Sequence, residues 1–227
     1  MQSRDRLIVA LDRSSRDDTL ALIDALRGAV GAFKIGLQAF VANGPALVRE
    51  VVASGESVFL DLKIHDIPNT AKQAVADVAK LGVTMTTVHA AGGEEMLRAS
   101  AHDGLLILGV TVLTSLNDRD LREIGFAGAP LETAVRLARL SKECGLRGVV
   151  ASPEEIEAIR EACGKDLVIV TPGVRPEGSS PGDQRRTKTP AAAIAAGADY
   201  VVVGRPITDA RQPRDAAERI IQTFGAG

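Results

Sequence analysis

The chain has little cysteine, no long apolar run and no block of positive charge, and each shortage argues against a class of protein. Its 2 cysteines, Cys144 and Cys163, are isolated, with neither a C-x-x-C spacing nor a paired histidine spacing. A disulfide framework and a zinc site are therefore not expected, which favours a reducing compartment. No apolar run approaches the roughly 20 residues that a membrane helix needs, and residues 1–6 are too polar for a signal peptide. We expect a cytoplasmic protein without a membrane partner.

The charge balance argues against nucleic acid as a partner. With 27 Lys and Arg against 29 Asp and Glu, the formal net charge is −2, and no long basic block is present. Two common nucleotide-binding motifs are also missing. No G-x-G-x-x-G follows the first predicted strand, and Gly164-Lys165 does not end a P-loop, because Ile159 and Asp166 break the pattern. Any recognition of a phosphate must therefore be local.

The composition that remains is that of an ordinary globular α/β protein. The 227 residues are 45% hydrophobic and 25% charged, without a linker or a low-complexity tract, so we expect one domain over residues 1–227. Short apolar, β-branched runs alternate with longer helical patterns such as 17–28, 38–54, 70–81, 131–144 and 153–163. Eight strands, nearly all followed by a helix, predict a single parallel (β/α)8 TIM barrel in preference to an open doubly wound sheet. The predicted strands are 7–11, 32–35, 57–62, 83–89, 105–112, 148–151, 167–171 and 200–203.

Polar residues collect where these predicted strands end. In TIM barrels the chemistry is carried at the carboxyl ends of the strands, so these residues are the candidates for a site. They are Asp12, Lys34, Asp61, Lys63, Thr114, Pro172, Arg175, Gly204 and Arg205.

The segment Asp-Leu-Lys-Ile-His-Asp-Ile-Pro-Asn-Thr, residues 61–70, is the most informative part of the chain. Side chains two apart on a strand share a face, so Asp61 and Lys63 should project together from the strand end. Asp66 follows where the chain turns toward Pro68, a favourable first residue for a helix. Charges at the end of an apolar strand are costly unless they pair or do chemistry. Asp-x-Lys alone is compatible with a structural ion pair at the strand end and with a catalytic site.

The carboxyl-terminal third has the features of a phosphate site. Residues 172–189 are rich in Pro and Gly, and long irregular loops in compact domains are usually binding loops or lids, although a surface insertion is the alternative. Gly204 at the last strand end lets backbone N–H groups approach a phosphate, and the Arg205 guanidinium can bind two of its oxygens. By itself this pattern predicts only a phosphorylated ligand.

Residues 61–70 closely resemble the active-site signature of the orotidine 5'-phosphate decarboxylase family. Asp-x-Lys-x-x-Asp alone is shared with sugar-phosphate decarboxylases and related synthases, and it becomes specific when joined to Ile-Pro-Asn-Thr and to the later segments. The resemblance extends from residue 6 to about residue 210. The further matching segments are Ala10-Leu11-Asp12, Lys34-Ile35-Gly36, Leu113-Thr114-Ser115, Thr171 to Pro176, Gly182 to Arg186, and Val203 to Ile207.

The resemblance implies an activity without a cofactor or a metal ion. Orotidine 5'-monophosphate (OMP) would lose CO2 to give uridine 5'-monophosphate (UMP), the last step of de novo UMP synthesis. Lys63 would donate the proton, Asp61 would face the departing carboxylate, and Lys34 and Asp66 would complete the charged array. The resemblance also implies a homodimer with shared sites, in which Asp66, Ile67 and Thr70 would reach across a two-fold interface.

The same resemblance implies how the substrate is bound. Asp12 and Lys34 would contact the ribose hydroxyls, and Gln184 and Arg205 would hold the 5'-phosphate. Arg175 would lie on the phosphate loop, and either Thr114 or Ser115 would contact the pyrimidine. Pro172 and Gly204 complete the predicted binding residues.

Three other functions compete with this interpretation. A magnesium-dependent sugar-phosphate decarboxylase or synthase needs acidic ligands near the second and third strands, where this chain has Lys34. A Schiff-base aldolase needs a neutral lysine nucleophile, which Lys63 between two aspartates is not. The third alternative is a barrel that binds a nucleotide without catalysis, although all four charged residues of the array are present.

Overall fold

The computed structural model describes residues 1–176 and 188–225. Eight parallel strands close into a barrel in chain order, with β8 paired to β1, which confirms the predicted TIM barrel. The strands are β1 Leu7–Ala10, β2 Ala32–Gly36, β3 Val58–Ile64, β4 Met85–His89, β5 Leu106–Val110, β6 Gly148–Val150, β7 Val168–Thr171 and β8 Tyr200–Val203.

Helices follow the strands around the outside of the barrel. The five helical stretches predicted from the sequence are present, and α3 begins at Pro68 as expected. Five further helices, of 4 to 10 residues, are not among the stretches named from the sequence. None of the described helices combines the length and apolar character needed to cross a membrane. The helices are α1 Arg16–Leu26, α2 Leu37–Ala53, α3 Pro68–Ala79, α4 Gly93–Ser100, α5 Asp118–Glu123, α6 Pro130–Glu143, α7 Ile156–Cys163, α8 Pro190–Ala195, α9 Arg205–Thr208 and α10 Pro213–Gln222.

The strands are buried on both faces, which explains their continuous apolar sequences. The outward side chains pack with the helices in one large cluster, whereas Ile8, Phe59, Leu108 and Val170 belong to a smaller cluster that fills the barrel interior. Alternation along a strand places residues two apart on the same face. The interior position of Phe59 therefore places Asp61 inside as well, above an apolar floor.

The amino-terminal end of the barrel is held by two arginines that donate mainly to backbone carbonyls. The Arg160 guanidinium donates to the carbonyl oxygens of Leu167 and Gly197, each at 2.7 Å, and to Asp199 Oδ2 at 2.9 Å. The same carboxylate oxygen accepts the backbone N–H of Ile169 at 2.8 Å. Arg6 adds bonds to the backbone carbonyls of residues 198 and 199, at 2.6 and 3.2 Å. These bonds tie the starts of β7 and β8 together.

Candidate active site

Four charged side chains of alternating sign form a connected array at the carboxyl end of the barrel. Lys34 Nζ lies 3.2 Å from Asp12 Oδ1 and 3.6 Å from Asp61 Oδ2. Lys63 Nζ donates to the same Asp61 oxygen at 2.7 Å. Strands β1, β2 and β3 are neighbours, so their ends supply the array in spatial order. All four were expected at this rim from the sequence; Lys34, Asp61 and Lys63 belong to the charged array that the resemblance implies, and the fourth member here is Asp12 and not Asp66.

Gly36 provides the space for the first part of the array. A Cβ atom built on Gly36 would lie 2.8 Å from Lys34 Nζ and 3.1 Å from Asp12 Oδ1. Both distances are shorter than ordinary van der Waals contacts, so any larger residue would displace the ammonium or the carboxylate. The glycine of the Lys-Ile-Gly segment therefore has a packing role beside Lys34.

Asp61 remains a carboxylate although it is buried. Its side chain is only 10% exposed, and burial alone would raise its pKa. The ammonium groups of Lys34 and Lys63, together with hydrogen bonds from Lys63 and Thr87, outweigh the burial and hold the pKa of Asp61 below its ordinary value. The site thus keeps a negative charge between two cations at neutral pH.

Lys63 has an unusual backbone conformation. Its φ is +51°, and it is the one non-glycine residue with a positive φ in the described ranges 1–176 and 188–225. The strand register shifts here, because Leu60 is opposite Thr86 while Ile64 is opposite Val88. The left-handed conformation costs a residue other than glycine roughly 1–3 kcal/mol, and such residues cluster at functional sites. The irregularity therefore lies in the part of β3 that carries the array residues Asp61 and Lys63.

The charged array opens into a cavity of about 530 Å³. This volume lies within the usual range of roughly 300–1,000 Å³ for small-molecule sites. Its floor is apolar and includes Phe59, Val110, Val150 and Val202, while the charged side chains stand at its wall. An apolar floor beside fixed charges is suited to a planar ring that carries polar substituents.

The remainder of the cavity lining includes the residues predicted to bind phosphate and base. They also line the cavity, whereas exposed Ser115 is not among the described lining residues. The backbone N–H of Arg175 donates to the carbonyl of Lys188 at 3.0 Å, joining the two described flanks of the proline- and glycine-rich segment. The predicted ligand Gln184 lies outside the described residues. The lining residues in question are Thr114, Pro172, Arg175, Gly204 and Arg205.

Asp66, Ile67 and Thr70 do not join this cavity within one chain. All three are exposed, and Asp66 Oδ1 accepts the backbone N–H of Ile67 at 2.7 Å. Ile67 is 68% exposed, and on the preceding helix α2 Leu37 and Val41 are 51% and 80% exposed. The start of α2 and the start of α3 therefore present apolar side chains to the surrounding solution.

The sequence did not identify several polar residues of the site. The buried Thr87 on β4 bonds to both Asp61 and Lys63. Arg13 lines the cavity beside Asp12 and forms an ion pair with Asp209, which also lines it. Two adjacent threonines within strand β4 were a signal for Thr87, but their place in the sequence does not reveal the partner of the hydroxyl.

A closed parallel barrel with a buried Asp–Lys array and an arginine-lined cavity at its carboxyl mouth defines the class of (β/α)8-barrel enzymes. The chain belongs to the orotidine 5'-phosphate decarboxylase / HUMPS family, whose sequence model matches residues 5–220.

Individual relatives resemble the chain over nearly its whole length. It is 48% identical to the orotidine 5'-phosphate decarboxylase of Heliobacterium modesticaldum, covering 100% of this chain and 98% of the relative. It is 51% identical to the enzyme of that name from Moorella thermoacetica, covering 97% and 92%. The crystal structure of orotidine 5'-phosphate decarboxylase from Lactobacillus acidophilus superposes with a TM-score of 0.86 at 35% identity, covering 96% and 98%.

Proposed function

We propose that this chain converts OMP to UMP and CO2, the last step of pyrimidine nucleotide synthesis, as a homodimer of one-domain chains in the cytoplasm. The observation that carries the proposal is the connected array Asp12–Lys34–Asp61–Lys63 beside a cavity that has an apolar floor and is also lined by Arg205. The names of the relatives that match the full chain support the same reaction.

The chemical problem is a carbanion without an electron sink. When the bond from C6 of the pyrimidine to the carboxylate breaks, CO2 departs and the electron pair stays on C6. A fixed ammonium stabilises that charge and then gives its proton to C6, and solvent restores the ammonium. We assign this role to Lys63, whose Nζ is held at 2.7 Å from Asp61. At about 4 Å and an effective dielectric constant near 20, each such charge contact is worth on the order of 4 kcal/mol before desolvation.

The substrate would span the cavity from the charged array to Arg175 and Arg205. Asp12 and Lys34 would hold the ribose hydroxyls, and Thr114 would contact the pyrimidine. Arg205 and Arg175 would lie toward the 5'-phosphate, with Gln184 as a further ligand, and Pro172 and Gly204 would line the path. Binding energy from the remote phosphate can lower the activation barrier at the reacting centre. The residues that bind the phosphate therefore contribute to the rate as well as to affinity.

A magnesium-dependent sugar-phosphate enzyme is the nearest alternative, because Asp-x-Lys-x-x-Asp alone is shared with sugar-phosphate decarboxylases and related synthases. Lys34 Nζ lies between Asp12 and Asp61, at 3.2 and 3.6 Å, where a metal ion would need oxygen ligands. An ammonium in that position favours the metal-independent reaction.

A spectrophotometric assay with OMP tests the proposal. Purified protein should consume OMP at the same rate with and without an excess of chelator. Failure to turn over OMP, or dependence on added Mg²⁺ with a sugar phosphate as substrate, would refute it.

We further propose that Asp66, Ile67 and Thr70 complete the site of a second copy of the chain. Asp66 is exposed and lies past the end of β3, and the exposed apolar side chains of Leu37, Val41 and Ile67, which follow the neighbouring strands β2 and β3, are the kind of surface that a subunit interface covers. In a two-fold dimer each contribution is reciprocal, so the partner subunit's Asp66 would extend the array at Lys63.

Two inactive variants, Lys63→Ala and Asp66→Asn, test this arrangement. If Asp66 acts across the interface, one site of the mixed dimer collects both defects and the other is intact. Refolding equal amounts together should restore about a quarter of the wild-type activity, since half of the dimers then carry one intact site of two. No recovery after verified subunit exchange would place Asp66 in its own chain's site.

A further inference from the structure

The irregular pairing of β3 with β4 leaves one residue of β4 opposite three of β3. Leu60 pairs with Thr86 and Ile64 pairs with Val88, so residues 61–63 are opposite Thr87 alone. A strand residue outside the ladder loses its regular backbone partner, and a buried N–H without an acceptor costs about 1–3 kcal/mol. The Lys63 N–H is in this situation, at the residue whose φ is +51°.

The hydroxyl of Thr87 provides the acceptor that the Lys63 N–H lacks in the strand ladder. Thr87 Oγ1 accepts the Lys63 N–H at 2.8 Å and donates its own proton to Asp61 Oδ1 at 2.9 Å. The other oxygen, Asp61 Oδ2, receives Lys63 Nζ at 2.7 Å. Backbone, hydroxyl, carboxylate and ammonium thus form a closed ring of hydrogen bonds, and Thr87 is completely buried within it.

We propose that Thr87 is a positioning residue for the reaction, a role that rests on the function proposed above. Its hydroxyl holds the left-handed backbone of Lys63 and occupies Asp61 Oδ1. The remaining oxygen, Oδ2, then faces both lysine ammonium groups. The direction of the Lys63 ammonium is therefore set from β4 as well as from β3.

Thr87→Val removes the hydroxyl and keeps the branched shape, so it isolates these two hydrogen bonds. We expect kcat to fall roughly 10- to 100-fold, because two bonds that orient the reacting groups are lost. KM should change less than about threefold, since the ribose and phosphate contacts lie elsewhere. Thr87→Ser restores the hydroxyl and should bring kcat back to within about threefold of the wild-type value.

The neighbouring threonine provides a matched control. Thr86 is also fully buried, and its Oγ1 donates to the carbonyl of Leu60 at 2.7 Å, away from the array. Thr86→Val therefore loses a buried hydrogen bond between the same two strands. Its thermal midpoint should fall by about as much as that of Thr87→Val, while its kcat stays at the wild-type value.

Hydrogen exchange of the Lys63 amide gives a readout that does not depend on OMP. Exchange should be slow in the wild type, Thr87→Ser and Thr86→Val, and at least about tenfold faster in Thr87→Val. Unchanged exchange in Thr87→Val, or a kcat loss equal to that of Thr86→Val, would overturn the role of Thr87. If the wild type does not turn over OMP, the proposed function fails, and the exchange rates still decide whether Thr87 holds Lys63.

Discussion

The two ends of the barrel use charged side chains in opposite ways. At the amino-terminal end, the Arg160 guanidinium donates to four backbone carbonyls and to Asp199, so its N–H groups are directed to fixed acceptors. At the carboxyl end, Lys34 and Lys63 share a single oxygen of Asp61 and border an open cavity. The first arrangement fixes the chain, and the second leaves cations where a ligand would enter.

The difference shows why the number of ion pairs alone does not identify a site. Arg160 is bound mainly to backbone atoms that any stable β7–β8 pairing must satisfy, so it has a structural reason to be there. Lys34, Asp61 and Lys63 bind one another, and the desolvation of three charges offsets much of the stability that their attraction provides. A costly cluster at the catalytic end of a TIM barrel indicates chemistry.

The largest effect should come from Lys63→Ala. We expect kcat to fall at least about 1,000-fold, because the proton donor and the electrostatic stabilisation are removed together. The thermal midpoint should stay within about 3 °C of the wild-type value, since Lys63 lies at the rim and not in the core. Steady-state kinetics and thermal unfolding measure both quantities.

Lys80→Ala is the control for Lys63→Ala, because Lys80 is an exposed lysine after α3 with a surface ion pair to Asp77. It should leave kcat unchanged. If Lys63→Ala kept a tenth of the wild-type kcat, the proton-donor assignment would be wrong and the contrast between the two barrel ends would lose its main support.

Arg205→Ala should have the next largest effect. It should distinguish the contribution of phosphate binding from that of the charged array. Loss of a charge-assisted contact to phosphate should lower kcat/KM for OMP by roughly 100-fold, or about 3 kcal/mol. The slow reaction of the bare nucleoside, orotidine, should change little. Arg98→Ala on α4, an exposed arginine paired with Glu94, is the matched control. Equal losses for nucleotide and nucleoside would place Arg205 elsewhere.

Arg160→Leu should show the reverse behaviour at the other end of the barrel. Several backbone carbonyls and Asp199 would lose their donor, so the free energy of unfolding should fall by about 2 kcal/mol. This figure allows little for the ion pair itself, because the Asp199 side chain is 33% exposed. The thermal midpoint should drop by roughly 4–8 °C. At 25 °C kcat for OMP should match that of the wild type.

Arg160→Lys sharpens this last comparison. It keeps the charge near Asp199 but loses the fork that reaches both Leu167 and Gly197, so its stability should lie between that of the Arg160→Leu variant and that of the wild type. A loss of kcat in Arg160→Leu at temperatures where it is fully folded would contradict the division of roles between the two ends.

The sequence by itself determined the architecture and most of the rim. Continuous apolar strands alternating with helices predict a parallel barrel, because strands buried on both faces have that composition. The two-residue period of a strand then places Asp61 on the same face as Phe59. Asp12, Lys34 and Arg205 lie at or just after the ends of parallel strands, which puts them at the same end of the barrel. Such patterns are local, and they can be recognised without knowledge of the pairing.

Only the tertiary structure decided how these residues act on one another. The contacts of Lys34 with Asp61 and of Thr87 with Lys63 join different strands, and the second depends on a shift in strand register. No local pattern encodes that shift, because it is a property of the pairing between β3 and β4. The left-handed backbone of Lys63 likewise finds the acceptor for its N–H on another strand, at Thr87 of β4.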